Sequence, residues 1–189
     1  MRVISGRQKG RILKAVPGES TRPTTDKVKE SVFNIIGPYF QQGYGLDLFA
    51  GSGGLGIEGI SRGLDKVIFV DRDAKAIQTI KKNIDLCDFQ ANAEVYKNDW
   101  KRALNAIIQR NIHFKVIWLD PPYHSDVYLA ILEIISKHEL LEKNGVVVCE
   151  HRKERELPAT VHLLEKNKEE QYGTISISLY HRKDVEEEN

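Results

Sequence analysis

The sequence predicts an α/β fold in which helices cover both faces of a mostly parallel sheet. The first observation is that short apolar runs alternate with amphipathic stretches between residues 45 and 149, a rhythm typical of parallel sheets. The second is a glycine-rich segment directly after the first run, as in folds that bind nucleotides. The third is a carboxyl-terminal pair of apolar runs with no helix between them, which predicts an antiparallel edge.

The first elements precede the alternating region. Residues 2–5 and 11–15 have the pattern of a short hairpin, with turn glycines and basic residues between them. A loop follows from Pro17 to Pro23, and either Thr25 or Asp26 can cap the next helix. Gly37-Pro38 ends that helix, whose apolar positions follow helical spacing: Val28, Val32, Ile35, Ile36 and Tyr39.

The alternating region predicts strands and helices in turn. The strands are 45–49, 66–70, 94–97, 116–119 and 145–149, and the helices are 55–62, 74–87, 101–110 and 128–138. The antiparallel pair spans 161–168 and 173–182. Its second member alternates sharply, with Ile175, Ile177 and Leu179 on one side of the strand and Ser176, Ser178 and Tyr180 on the other.

Composition excludes several classes of protein. The 189 residues, of which 41% are hydrophobic and 29% charged, predict a single domain over 1–189. No apolar stretch is long enough to span a bilayer, and the amino terminus lacks the apolar core of a secretory signal. Cys87 and Cys149 are far apart, and the six histidines show no paired ligand spacing. We therefore expect a cytosolic protein without membrane contacts or a metal, acting as a monomer.

The net charge of +1 is unevenly distributed. Residues 1–30 carry eight basic and three acidic side chains, a net charge of +5, whereas 184–189 carry −4. The basic segment predicts an amino-terminal arm over 1–20 that binds phosphates; a solvated hairpin is the alternative. We expect the acidic tail over 184–189 to be disordered.

The glycine-rich segment predicts a binding site for a nucleotide-type cofactor. Gly51, Gly53 and Gly56 match G-x-G-x-x-G between a strand and a helix, and Asp71 ends the next strand. Glycines allow a tight turn close to a ligand, and the acid can accept hydrogen bonds from ribose hydroxyls. The pattern alone fits NAD, FAD or S-adenosylmethionine. Asp47 favours the last of these, because an acid before the glycines opposes a pyrophosphate but suits a cationic amino-acid group.

The segment Asp120-Pro121-Pro122-Tyr123 indicates the chemistry. It follows the buried run Val116–Leu119, so it lies at the ligand-binding edge of the sheet, and its prolines make a rigid loop. A carboxylate, a fixed carbonyl and an aromatic ring suit a planar group with an exocyclic amine. The segment therefore predicts chemistry on a nucleobase.

With these motifs the chain resembles the RsmD family of bacterial 16S ribosomal RNA guanine-N2 methyltransferases, within the class I methyltransferases that use S-adenosylmethionine. The resemblance covers nearly the whole chain. It is carried by 2–6, by Lys9-Gly10-Arg11, by 22–34 beginning Arg-Pro-Thr-Thr, by 47–53 and by the Asp-Pro-Pro-Tyr segment. It implies a Rossmann-like, seven-stranded sheet whose last strand is antiparallel. The implied target is guanine 966 of the small subunit or its precursor.

The resemblance also implies roles for individual residues. The catalytic segment is Asp120, Pro121, Pro122 and Tyr123. The implied cofactor-binding residues are Arg22, Thr24, Asp47, Phe49, Gly51, Gly53, Asp71, Arg72, Asn98 and Asp99. Within this set Asp47 and the glycines hold the methionine part, Asp71 takes the ribose, and Asp99 faces the adenine. The basic residues of the arm that contact RNA are Arg2, Arg7, Lys9 and Arg11.

Structural roles remain open for several of these residues. Thr24 can cap a helix, as can Asp99, and Asp71 can cap a strand end. Arg72 can be a solvated charge, and His124 can lie on the surface or line the base pocket. Three other functions stay open: methylation of adenine N6 or cytosine N4, nicotinamide-dependent oxidoreduction, and RNA binding without catalysis.

Overall fold

A computed structural model describes residues 1–18, 25–122, 124 and 126–183. The predictions made for Arg22, Thr24 and Tyr123 lie outside the described residues, as does the prediction of a disordered tail over 184–189.

The described chain forms one sheet, which confirms the predicted fold class. Its strands are β1 (Tyr44–Asp47), β2 (Lys66–Asp71), β3 (Ala93–Lys97), β4 (Phe114–Leu119), β5 (Leu141–Arg152), β6 (Thr160–Val161), β7 (Leu164–Tyr172) and β8 (Ile175–Arg182). Their order is β3-β2-β1-β4-β5-β8-β7-β6. The first five are parallel, and the last three pair antiparallel. The sheet has eight strands rather than seven, because two-residue β6 is too short to show alternation in sequence.

Helices cover both faces of the sheet, so two hydrophobic cores form. The helices are α1 (Asp26–Ile36), α2 (Gly54–Ser61), α3 (Ala74–Leu86), α4 (Trp100–Gln109) and α5 (Tyr128–Lys137). The first core packs α1, α2 and α3 against one face, and the second packs α4 and α5 against the other. Along the chain the described helices contain no span long and apolar enough to cross a membrane.

Helix α1 begins and ends as its capping residues predict. The side chain of Thr25 accepts a hydrogen bond from the amide of Val28 at 3.3 Å. Gly37 follows the helix with φ near +125°, a conformation that favours glycine. The assignment of Tyr39 to the apolar face of α1 was wrong. Tyr39 follows the helix and is 64% exposed.

Polar and charged residues in β7 and β5 made the bounds of these strands difficult to predict from the sequence. Strand β7 runs from Leu164 to Tyr172 rather than over 161–168, and it is mostly charged. Because it lies near the sheet edge, polar side chains occupy most of its positions, and no apolar alternation marks it. Strand β5 is also longer than predicted; its polar first half pairs Leu141 with Phe114 before a register shift.

The arm was predicted over 1–20, of which residues 19 and 20 lie outside the described residues; residues 1–18 contain less sheet than the sequence predicts. A single bridge pairs Arg2 with Ile12, supported by backbone hydrogen bonds such as that from the amide of Val3 to the carbonyl of Arg11 at 2.9 Å. Other polar groups of the arm bond to helices: the amides of Ile4 and Ser5 donate to the Glu58 carboxylate. The arm is thus docked across the helices, with Val3 and Leu13 buried in the first core.

Candidate active site

The candidate site lies where the strand order of the sheet reverses. Strands β2 and β4 flank β1, and ligands of open α/β sheets bind outside the carboxyl ends of strands at such a point. Asp47 ends β1, Asp71 ends β2, and Asp120 directly follows β4. Asp47 lies in register with Phe69 on one side and Trp118 on the other. The fold therefore gathers three predicted acids at one edge.

The glycine loop, Gly51–Gly53, turns sharply between β1 and α2. Gly51 and Gly53 have φ of +56° and +82°, which residues with a side chain rarely adopt. The loop is pinned where the amide of Gly53 donates to the carbonyl of Ala50 at 2.7 Å. A Cβ added to Gly51 would meet no atom within 4 Å. The backbone there faces open space, so a ligand can approach it closely.

Gly56 serves packing rather than ligand contact. A Cβ at this position would lie 2.3 Å from the ring of Phe69 on β2. The absence of a side chain therefore lets α2 approach the sheet, which sets the position of the glycine loop at its amino-terminal end.

Asp47 is buried directly behind the glycine loop. Its carboxylate accepts a hydrogen bond from the amide of Gly56 at 3.1 Å. Burial raises the pKa of Asp47 to about 7. The hydrogen bond from Gly56 partly opposes this rise, and the nearby negative charge of Asp71 adds a smaller increase. A cationic ligand group would stabilise the ionised carboxylate, so Asp47 fits the ammonium of an amino acid.

Asp71 shows the structural role that the sequence left open. One carboxylate oxygen accepts from the amide of Gly51 at 2.9 Å, and the other accepts from the amide of Asp73 at 2.9 Å. These bonds join the glycine loop to the end of β2. Each oxygen keeps a further lone pair, so ribose hydroxyls can still donate to this side chain.

Asn98 and Asp99 lie beyond the end of β3. The amide of Asn98 donates to the carbonyl of Asp71 at 3.0 Å, which joins this segment to the acid at the end of β2. Asp99 is the N-cap of α4 and accepts from the amide of Arg102 at 3.1 Å. Arg72 is exposed, and Phe49 packs partly against the second core. The capping role of Asp99 is thus observed, and its adenine contact stays a prediction.

Asp120 occupies the predicted position at the end of β4. Burial raises its pKa well above that of an ordinary carboxyl, and the carboxylates of Glu150 and Asp47 raise it further. Pro121 is buried and Pro122 is exposed, so the loop is fixed on one side and open on the other. A site with this electrostatic character favours a group that donates hydrogen bonds.

Sequence reasoning missed Glu150, which is 6% exposed on β5. It lines a cavity together with Asp120, and the other lining residues are Val32, Leu55, Leu119, Val148 and Ile177. Alternation was the available signal, because Glu150 shares its face of β5 with Val146 and Val148. An acid that continues an apolar face is unusual.

The basic residues of the arm differ in their surroundings. Lys9 is exposed, Arg11 donates to Gln8 at 3.3 Å, and Arg2 pairs with Asp26 at 3.4 Å near the surface. Arg7 has structural contacts: its guanidinium lies 5.0 Å from the centre of the Phe89 ring and donates to the carbonyl of Ile60 at 3.5 Å. Arg7 therefore anchors the arm, whatever else it contacts.

Metal ligands do not gather in the part of the chain that the structure describes. No group of three or more histidine, cysteine, aspartate or glutamate side chains there could hold an ion. His124 is exposed, and both cysteines are buried.

The strand order, the glycine loop and the acids at the strand ends define a class I methyltransferase fold. A sequence profile described as Conserved hypothetical protein 95 matches residues 1–181. The chain belongs to this family, the RsmD family.

The chain is also similar to individual proteins of this class. YlbH of Bacillus subtilis, provisionally named an rRNA methyltransferase, is 55% identical over 183 residues, covering 97% of this chain and all of that protein. Ribosomal RNA small subunit methyltransferase D of Haemophilus influenzae is 34% identical, covering 95% of this chain and 93% of that protein. A provisional methyltransferase of Escherichia coli has a solved structure with a TM-score of 0.84 and 28% identity, covering 97% and 98% of the two chains.

Proposed function

We propose that this protein transfers a methyl group from S-adenosylmethionine to the exocyclic N2 amine of a guanine in bacterial 16S rRNA. The observation that carries the proposal is the juxtaposition of Asp120-Pro121-Pro122 with the glycine loop and buried Asp47 at one edge of the sheet. The name of the Haemophilus relative supports ribosomal RNA of the small subunit as the substrate. By family resemblance the guanine is position 966.

The residues at the switch point fit the cofactor. Asp47 suits its ammonium group, the open backbone at Gly51 leaves room beside the loop, and Asp71 offers lone pairs to ribose hydroxyls. When bound, S-adenosylmethionine supplies a methyl group on a sulfonium, an electrophile that needs no metal. Family resemblance adds Arg22, Thr24, Phe49, Arg72, Asn98 and Asp99 to the proposed contacts.

Asp120 acts on the guanine amine by orienting it. The nitrogen is a poor nucleophile, because its lone pair is delocalised into the ring. The Asp120 carboxylate and the Pro121 carbonyl can each accept one N–H, which favours pyramidal nitrogen. The N–H that Asp120 accepts in turn stabilises the ionised carboxylate, whose pKa the site raises. The acceleration then comes from orientation and from electrostatics aimed at developing positive charge.

The target base must be unpaired or flipped out of its helix, because the amine of a paired guanine is out of reach of the loop. We assign Tyr123 to stack on the base, and the exposed cations Arg2, Arg7, Lys9 and Arg11 to hold the flanking phosphates. We expect the chain to act as one domain and as a monomer.

The direct test is methylation in vitro. The protein is incubated with labelled S-adenosylmethionine and either naked 16S rRNA or small subunits that lack the mark, and the product nucleoside is identified by mass spectrometry. N2-methylguanosine is the expected product. N6-methyladenosine or N4-methylcytidine would transfer the assignment to another base, and tight NADH binding without S-adenosylmethionine binding would contradict the proposal altogether.

The Asp120→Asn variant tests the assigned role of the carboxylate. We expect methyl transfer to fall by about 10²-fold or more, since the variant lacks the negative charge that stabilises the developing positive charge, while the Kd for S-adenosylmethionine changes little. The control is Asp88→Asn. Asp88 is exposed with φ of +55°, a conformation that asparagine tolerates well. Equal rates of methyl transfer for the two variants would rule out the assigned role of Asp120. An RNA-binding module without catalysis predicts this outcome.

A further inference from the structure

Asn83 is a fully buried amide on α3 that contacts both the arm and the glycine loop. Its Nδ2 donates to the carbonyl of Lys14 at 2.9 Å and to the carbonyl of Ser52 at 2.9 Å. Its Oδ1 accepts from the amide of Lys14 at 2.7 Å. One side chain thus joins the arm to the loop beside the cofactor site, and neither attachment depends on the identity of the residue it holds.

The other end of the arm is fixed to α2. The hydroxyl of Ser61 donates to the carbonyl of Ser5 at 2.6 Å and accepts from the amide of Gln8 at 3.0 Å. The amide of Arg7 donates to the carbonyl of Ser61 at 2.8 Å. Asn83 therefore holds the arm at Lys14, and Ser61 holds it near its turn, at Ser5, Arg7 and Gln8.

The arm depends on these attachments for its shape. Its only strand pairing in the described residues is the bridge between Arg2 and Ile12, and an isolated two-stranded hairpin is marginal in water. Removing the Asn83 amide would leave buried carbonyl and amide groups without their partner, at a cost of about 1–3 kcal/mol. Two of the three lost bonds belong to Lys14, so most of that cost falls on the docking of the arm.

A docked arm presents its charges at fixed positions relative to Asp120. Arg2, Lys9 and Arg11 are exposed, and held charges bind phosphates without the entropic cost of ordering a flexible segment. We propose that Asn83 is a positioning residue that keeps the basic arm in register with the glycine loop, so that RNA bound by the arm is presented to the catalytic segment. This inference rests on the proposed function, because it concerns the same RNA substrate.

The salt dependence of RNA binding tests the inference. The logarithm of the affinity for naked 16S rRNA is measured against the logarithm of salt concentration, since each phosphate contact on a single strand contributes about −0.7 to the slope. We expect Asn83→Ala to flatten the slope by roughly 1 to 2, equivalent to two or three lost contacts, although it removes no charge. The KM for RNA rises, while the Kd for S-adenosylmethionine stays within about twofold because the bonds of Asp71 and Ala50 still hold the loop.

Two further variants separate this role from general stability. Ser61→Ala removes the two hydroxyl bonds of the other attachment, so it should flatten the slope in the same direction, and it serves if Asn83→Ala does not fold. Thr79→Ala is the control: Thr79 is also buried on α3, but its hydroxyl donates to the carbonyl of Lys75 of the same helix at 2.9 Å. We expect Thr79→Ala to keep the wild-type slope.

The outcomes distinguish the inference from the proposed function. Wild-type slopes in both Asn83→Ala and Ser61→Ala would overturn the inference. It would also be overturned if Asn83→Ala lost as much affinity for S-adenosylmethionine as for RNA, because Asn83 would then serve the glycine loop alone. Absence of methyl transfer by the wild-type protein would overturn the proposed function, and the slopes would still decide whether Asn83 positions the arm.

Discussion

The ionisation of Asp47 is linked to the binding of a cation at the candidate site. It is a buried acid whose pKa is raised to about 7, far above the ordinary value for aspartate. Its ionised form is therefore disfavoured until a cation arrives. In the proposed function that cation is the ammonium of S-adenosylmethionine, so ionisation of Asp47 and cofactor binding favour each other.

This linkage predicts a pH dependence of cofactor affinity. Below pH 7 Asp47 is protonated and loses its attraction for the ammonium, so affinity should rise roughly tenfold from pH 6 to pH 8 for a group that titrates near 7. Calorimetry of S-adenosylmethionine binding across this range provides the measurement.

The matched variant is Asp47→Asn, which can still accept the hydrogen bond of Gly56. It should bind weakly at every pH and show no such rise. A wild-type affinity that is flat between pH 6 and pH 8 would contradict the assignment of Asp47 to the ammonium.

The sequence predicted the acids at the strand ends because strand ends and their polar residues are local features. It could not predict that Asp71 and Asp99 also serve as caps, since the sequence allowed either role. Glu150, Asn83 and Glu58 were missed for a different reason. Their partners lie far along the chain, as in the bond between Ser5 and Glu58, 53 residues apart, so only the tertiary structure brings them together.

At the scale of the elements, the fit between α2 and β2 sets the position of the glycine loop. Helix α2 has only eight residues and begins at the loop. Its glycines let it lie close to the sheet, and at Gly56 there is no space for even one additional carbon against Phe69.

Gly56→Ala should therefore lower the free energy of unfolding by about 1–3 kcal/mol, the usual cost of overpacking, even though alanine favours helices. Urea denaturation of the free protein measures the effect. Gly54→Ala is the comparison in the same helix, because its Cβ would meet mainly the movable end of the Met1 side chain. A similar loss in both variants would show that backbone conformation, rather than contact with Phe69, makes glycine necessary.

Elements with a clear apolar period were predicted to within a few residues, as in α3 and β2. The predictions were wrong where the pattern of apolar residues does not follow the secondary structure. Strand β7 carries charges along its length, and Tyr39 continues a helical spacing after Gly37 has already ended the helix. The arm contains little sheet because the amides of Ile4, Ser5 and Gln8 donate hydrogen bonds to the side chains of Glu58 and Ser61 and not to a second strand.

At the scale of the whole molecule, a buried ion cluster joins the arm to two helices. Lys29 of α1 lies 3.2 Å from Glu58 of α2, and both side chains are fully buried. Glu58 also pairs with Arg62 at 2.8 Å, and the ammonium of Lys29 donates to the carbonyl of Arg2. Each member of the cluster satisfies another, so removal of one leaves a charge in an apolar environment.

Lys29→Met should lower the free energy of unfolding by about 3 kcal/mol, somewhat less than the loss of a sole partner because Arg62 remains beside Glu58. Lys27→Met on the same helix is the control, since Lys27 is exposed, and it should change stability by less than about 0.5 kcal/mol. The check is denaturant unfolding of both variants at one pH. If the two lose equally, the buried cluster contributes no more than a surface charge does.

The attachments of the arm have a consequence for how this protein can change over evolution. Asn83, Ser61, Glu58 and Lys29 all bind main-chain atoms of the arm, so they hold a path of the backbone and not a particular sequence. Exposed positions such as Arg2, Lys9 and Ile12 can then be exchanged without undocking the segment. The same scaffold could accommodate a different RNA by altering a few outward-facing side chains, with the catalytic edge left untouched.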